Sequence, residues 1–514
     1  MRHRPRALLL ALAAAPLALL ALRADDRDLA LRVWTFRLPG TELGMWAADM
    51  DADGRQDLVI AHMTSLSGPA RQVSIWLQGP RGSRFEPAPA RVWDVPQDAC
   101  AFAAGDFHPS PGGEVALLCP DRVVLLQGPT GAPLEVLRAP GFFDYPEDGA
   151  LPPWDLVHDL DGDGLPELLV PTQEGYTLLR RGGPDHQLAP AGKVALPAQH
   201  RFGPGLETTL LNRFISSTSR LRRVVALDMN GDQRLDLAAY RKRGLARFTQ
   251  RADGTFPAEP DQELELEVVA AAEREDKQRE GTDAFANLRI NLADLDRDGR
   301  AELIATRTVG EMGMFESMRT QHYLFRGRPD GTWDQRAPGA IISLKGVSPD
   351  PELVDLDGDG RLDLAVASYR MDLLTNVKRA IFESMHIEYA VFLQRRDGAF
   401  DDDPDWSLDL EVPLSTLEKR GGAQAATFRA DLDGDGVKDL VARRADGALR
   451  VRRGRREGND LSFPEQGERV VSVGSTEPPW VVDLDGDGAD ELVLEPFGGD
   501  DARARTVHLV GVAR

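Results

Sequence analysis

Positive charge is scarce in this sequence. Its 514 residues carry 61 Lys and Arg against 83 Asp and Glu, for a net charge of −22. Contact with a phosphate backbone needs a basic patch, so this balance argues against a nucleic-acid partner. Aromatic residues make up only 6% of the chain, which is modest for a protein that stacks sugars. There are two cysteines, Cys100 and Cys119. Beyond the N-terminus no apolar run reaches the roughly 20 residues of a membrane-spanning helix. The sequence holds no G-x-S-x-G, H-E-x-x-H or phosphate-loop pattern, and its nine histidines are scattered without catalytic spacing.

The start of the chain, "MRHRPRALLLALAAAPLALLALRADD", reads as an export signal. Arg2, Arg4 and Arg6 precede an apolar run of 15 residues, Leu8 to Leu22, too short to span a bilayer. The expectation is a signal at 1–24 and a mature domain at 25–514, exported, and periplasmic or secreted if the source is bacterial. A retained amphiphilic anchor is the alternative. The segment has no cysteine, which argues against a lipoprotein.

What the chain has in abundance is one acidic motif, repeated seven times. "DMDADGRQDL" starts at Asp49, "DLDGDGLPEL" at Asp159, "DMNGDQRLDL" at Asp228 and "DLDRDGRAEL" at Asp294. "DLDGDGRLDL" follows at Asp355, "DLDGDGVKDL" at Asp431 and "DLDGDGADEL" at Asp483. Oxygen side chains fall at positions 1, 3, 5 and 9. In the first three copies these are Asp49, Asp51, Asp53, Asp57; Asp159, Asp161, Asp163, Glu167; and Asp228, Asn230, Asp232, Asp236. Next come Asp294, Asp296, Asp298, Glu302; then Asp355, Asp357, Asp359, Asp363. The last two are Asp431, Asp433, Asp435, Asp439 and Asp483, Asp485, Asp487, Glu491.

Alternate residues of a tight loop can converge on one point, and hard carboxylate oxygens at this density suit Ca²⁺. Zinc would call for His or Cys, which these loops lack. Up to seven ions are expected, one per complete loop, with the Asp228 loop weakest because Asn230 and Gln233 replace an acid and a glycine. An EF-hand would close with Glu at position 12 and be flanked by helices. Here apolar, strand-like runs such as "LVIA" and "LAVA" follow, so each loop is expected to join two strands.

An eighth, degenerate copy holds Asp106 and Glu114 at positions 1 and 9, with His108 and Ser110 between. Counting it, the repeat recurs about every 62 residues, the period of a four-stranded propeller blade. "DGTF" at Asp253, "DGTW" at Asp330 and "DGAF" at Asp397 predict type I′ hairpin turns between the third and fourth strands. After Glu491 too few residues remain for a fourth strand, while "LALRVWTFRLPG" precedes the first motif as a strand without a repeat. The expected fold is all-β: a single closed propeller of eight four-stranded blades, its last blade completed by the N-terminal strand. Seven blades remain possible if the degenerate copy is not one.

The motif D-x-D-G-D-G-x-x-[DE]-L before an apolar strand, with D-G-x-F later, resembles the FG-GAP/VCBS-repeat propellers, which are similar to the integrin α-chain N-terminal domain. The resemblance implies the fold and the calcium ligands. That family includes adhesion receptors, lectins and some polysaccharide lyases. Two functions are therefore carried: a non-enzymatic binding or adhesion scaffold for a protein or glycan, and a polysaccharide lyase. No catalytic residue can be picked out.

Three smaller expectations remain. Trp46, Trp154 and Trp480 precede their loops at odd offsets, either packing between blades or lining a sugar-binding channel. "FESM" occurs at Phe315 and again at Phe382, placed in loops between the second and third strands. It offers Glu316, Met318, Glu383 and Met385 as a partner edge, or merely a duplicated packing unit. Cys100 and Cys119 flank the degenerate loop so that antiparallel pairing sets them side by side. A disulfide is expected there, with two buried thiols as the alternative.

Overall fold

The computed structural model describes residues 29–512 apart from 65–70, 81–84, 129, 145–148, 183–186, 210–211, 242, 279–283, 312–313, 371–383, 414–424, 445–447, 474–478 and 495–504. The N-terminal signal-like segment lies outside the described residues.

Eight four-stranded antiparallel sheets follow one another along the chain, at 41–94, 101–138, 157–195, 224–265, 284–345, 352–413, 426–472 and 480–512. They are blades 1 to 8, each with strands A to D in order. The A strands of blades 1 and 2, of 6 and 7, and of 7 and 8 touch one another. Alternating side chains give each sheet two apolar faces, and neighbouring blades bury them against each other. One such core joins Val59 and Ala61 of blade 1 to Phe102 and Leu117 of blade 2. Blade 2 is built on the degenerate copy, so the count is eight and not seven.

Blade 8 closes the ring. Its fourth strand is Leu31–Arg37, paired antiparallel with Thr506–Val512 from Leu31 opposite Val512 to Arg37 opposite Thr506. This joins the first strand to the last and leaves no open end to fray. Between blades 1 and 2 the ring is held by a buried cation. Arg71 is 2% exposed and donates to the carbonyls of Pro96, Gln97 and Ala99 at 2.9, 2.6 and 2.8 Å, and to Ala150 at 3.1 Å. Its guanidinium satisfies loop carbonyls that a long inter-blade connection would otherwise bury unpaired.

Among the described residues two elements lie between neighbouring blades. A hairpin of Gln199–Thr209 and Asn212–Arg220 separates blades 3 and 4. A charged helix, Glu267–Gln278, lies between blades 4 and 5, as its Ala, Glu, Lys and Arg content foretells.

Several local expectations are corrected. The first Phe-Glu-Ser-Met run is no loop: Met314–Phe325 is strand C of blade 5, and Met318 is buried at 4% exposure, so it cannot be a partner edge. Blade 5 simply has longer strands than a loop reading allows. Of the second run, Phe382 and Glu383 lie outside the described residues, and Ser384 opens strand C of blade 6. The Asp-Gly turns are not type I′, because only their glycines, Gly254, Gly331 and Gly398, have positive φ, at 75°, 72° and 76°. Gly254 donates to the Arg251 carbonyl while Asp253 caps the Thr255 amide, so one left-handed residue suffices.

The cysteines are corrected too. Ala101 pairs with Leu118, which places Cys100 and Cys119 at adjoining ends of blade 2 strands A and B as expected. Both are nonetheless free, buried thiols, and Cys100 Sγ is turned to the carbonyls of Asp144 and Asp98 at 3.0 and 3.3 Å. The tryptophans pack between blades. Trp154 Nε1 donates to the Leu169 carbonyl at 2.9 Å and the ring meets Phe143 edge-on at 5.6 Å.

Candidate metal-binding loops

All seven complete motifs join strand A to strand B of their blades, so they share one rim of the ring with the Asp-Gly turns. Each is folded by its own first aspartate. Asp49 accepts the amides of Asp53 and Gly54 at 3.1 and 2.8 Å. The matching bonds from position 6 to position 1 are 2.7–3.0 Å in the other six loops. Curling the chain this tightly needs left-handed backbone at positions 4 and 6. Ala52, Gln233 and Arg297 take it without being glycine, with φ of 62°, 64° and 56°. Each costs roughly 1–2 kcal/mol, and all the positive-φ non-glycine residues among those described sit in these loops.

Folding this way brings the expected ligands together. Carboxylate oxygens lie within 4.8 Å of one another in the trios Asp49, Asp51, Asp53; Asp355, Asp357, Asp359; and Asp431, Asp433, Asp435. In two of the three loops that end in glutamate the trios are Asp159, Asp161, Glu167 and Asp294, Asp296, Glu302. The longer side chain at position 9 reaches the cluster. A donor set of oxygens alone, three of them anionic, fits a hard divalent cation such as calcium. When bound, such a cation would neutralise these carboxylates. In the Asp228 loop Asn230 Nδ2 donates to Asp232 at 3.3 Å, so an amide already takes one carboxylate oxygen.

The position-9 acid has a second role that the motif does not announce. Asp57 is fully buried and accepts the Met50 amide at 2.7 Å and the Gln78 amide at 2.7 Å. Asp363 takes Leu356 and Gln394, and Asp439 takes Leu432 and Gly454, all at 2.8–2.9 Å. Glu302 accepts Leu295 and Gly327 at 2.8 and 3.1 Å. One carboxylate thus ties the metal loop, strand B and the end of strand C into a unit. Glu114 keeps the loop half of this role in blade 2, accepting the Phe107 amide, while His108 and Ser110 bond each other at 2.8 Å where most other loops hold acids. Hydrogen bonds there stand in for converging charges.

Arginines are the second feature that the ligand pattern hides. Arg55, Arg234, Arg300 and Arg361, at position 7, each pair with the position-5 aspartate of their own loop. Arg180 reaches Asp161 and Glu167 at 3.2 and 2.9 Å, and Arg453 reaches Asp433 and Asp435 at 2.5 and 2.7 Å. The loops are also chained to one another. The Gln56 amide donates to the Leu484 carbonyl of blade 8 at 2.7 Å, Leu362 to Leu295 at 2.7 Å and Lys438 to Leu356 at 2.9 Å. Each link runs from position 8 of one loop to position 2 of the loop before it.

Burial sets the charge of the position-9 acids. It pushes the carboxyls of Asp57 and Asp236 up to about 6, Glu302 and Asp363 to about 7 and Asp439 to about 8, against the pull of their amide donors. In an unfolded chain such groups titrate near about 4. Between those values the folded state holds more protons, so stability falls as pH rises. With EDTA present, the melting temperature is expected to be higher at about pH 5.5 than at about pH 8. A flat or rising profile over that window would contradict the burial of these acids.

A closed ring of eight four-stranded blades, with acidic A–B loops on one rim, defines a β-propeller of the loop-bearing kind. The FG-GAP-like repeat family matches residues 294–366 and 431–494, which span blades 5 to 6 and 7 to 8. Those two stretches, each carrying two of the acidic loops, thus match FG-GAP-like repeats. Among solved structures it is similar to an Agrocybe aegerita lectin described as recognising non-reducing terminal N-acetylglucosamine. That match has 16% identity, 95% of this chain, 96% of that chain and a TM-score of 0.40. It is also similar to the V. cholerae biofilm matrix protein Bap1, at 11% identity, 95% of this chain, 92% of that chain and a TM-score of 0.38. No curated protein is significantly similar in sequence.

Proposed function

We propose that the protein is an exported, calcium-loaded propeller that serves as a rigid, non-enzymatic binding or adhesion scaffold for a protein or glycan. The observation that carries this reading is the chained rim. The acidic loops of blades 1, 5, 6, 7 and 8 are hydrogen-bonded one to the next, so a cation in them acts on the framework itself. A metal used for chemistry would instead need an open coordination position facing a substrate cleft. Export rests on the basic, then apolar, N-terminal segment, and agrees with the millimolar calcium that modest sites of this kind need. Incubation with pectate and alginate, followed through the absorbance of unsaturated products, tests the non-enzymatic part. No turnover is expected. Sustained turnover would replace the scaffold reading with a polysaccharide lyase.

A further inference from the structure

Between the Glu267–Gln278 helix and blade 5 lies an open cavity of about 600 Å³. Its floor is one face of the sheet. Arg307 on strand B stands opposite Gln321 on strand C, and Tyr323 stands opposite Ile341 on strand D. The Tyr323 and Phe325 rings are stacked, with centroids 6.5 Å apart and planes 13° from parallel. Tyr323 is held in place by its hydroxyl, which donates to Gln321 Oε1 at 2.8 Å. Ile341 adds an apolar side chain that is 42% exposed. The helix supplies the opposite wall and is moored by charge: Arg307 Nη2 pairs with Asp276 and Glu275 at 2.7 and 3.2 Å.

Arg307 is the telling residue. It is only 7% exposed, it lines the cavity, and its Nη1 has no hydrogen-bond partner. Its Nη2 is taken by Asp276 and Glu275, so at the cavity wall Arg307 fixes the Glu275 carboxylate at the rim, where the acid can accept a ligand's hydroxyl. We propose that this groove binds an oligosaccharide, with a sugar ring laid on the Tyr323–Ile341 strip and its hydroxyls taken by Glu275 on the helix wall. A sugar offers an apolar C–H face for stacking and an edge of groups that both donate and accept, which matches this mixture. A helical peptide would want an unbroken apolar stripe, and the Arg307–Glu275 pair interrupts it. An extended peptide would want a free sheet edge, and this floor is a sheet face.

The proposal names a site for the scaffold reading above and rests on it. The test uses the full chain in calcium, titrated calorimetrically with cellohexaose, chitohexaose and hexagalacturonate. At least one probe is expected to bind at millimolar affinity or better. Tyr323→Ala and Ile341→Glu should each weaken it about tenfold or more, as loss of a stacking or contact surface worth about 1.4 kcal/mol requires. Because Ile341 is exposed, its variant keeps the fold, which an unchanged melting temperature verifies. Binding of none of the probes, or binding unaffected by both variants, or competition by peptides in place of sugars, would overturn the groove. If the groove fails while chelation still lowers melting, the scaffold reading stands. If a probe is bound and turned over, the groove stands and the non-enzymatic reading falls.

Discussion

Removing calcium is expected to lower the melting temperature by about 10 °C, more than any single substitution in the ring. The estimate comes from mass action. With site affinities of about 10⁻⁴ to 10⁻³ M and calcium at about 10 mM, each loop gains about 1.4–2.7 kcal/mol. Seven such loops give about 10 kcal/mol at the low end, and a ring of this length has an unfolding entropy near about 1 kcal/mol per degree. The metal-free state is not expected to collapse outright, because arginines of its own already sit among the acids. Arg55, Arg234, Arg300 and Arg361 hold position 5, and Arg453 bridges Asp433 and Asp435. Scanning calorimetry in calcium, magnesium and EDTA provides the measurement. Identical melting in calcium and EDTA would remove the metal assignment.

Replacing Asp439 by alanine should cost about 2–6 kcal/mol whether or not calcium is present. Its carboxylate is fully buried and accepts the amides of Leu432 and Gly454, both at 2.9 Å. Truncation leaves those two donors buried and unpaired, at about 1–3 kcal/mol each. Asp435→Asn offers the contrast. Asp435 belongs to a converging trio, and its other partners, the Val437 amide at 2.9 Å and Arg453 at 2.7 Å, can both still donate to an asparagine oxygen. Its variant should lose stability in calcium and change little in EDTA. Urea unfolding of both variants, with and without calcium, separates the two roles. If the Asp439→Ala loss vanished in EDTA, position 9 would be acting through the cation alone.

The sequence was legible wherever the physics is local. Aspartates at every second position with a glycine at the sixth specify the loop, because position 1 caps the amides of positions 5 and 6 whatever the rest of the chain does. The apolar run after each loop specifies strand B, and the period of these units specifies blades. The unpaired strand at the N-terminus and the missing one at the C-terminus could be matched by counting alone.

Other features were invisible for physical reasons. Position 9 reads as one more acid, and only the approach of strand C shows it holding two backbone amides. The arginines at position 7 look like solvated charges until the loop curls them back onto position 5. The spacing of Cys100 and Cys119 fits a cross-strand bond, yet the rotamer of Cys100 turns its sulfur toward carbonyls, and side-chain direction does not follow from register. By itself, then, the sequence determined the repeat and the acidic rim, which arise from hydrogen bonds and burial within about ten residues, and the ring, whose blades and unmatched end strands can be counted. Tertiary structure alone decided the chained loops, the buried Arg71 and the groove beside the helix. Each of these needs groups far apart in sequence to meet, and blade-on-blade packing is what brings them together.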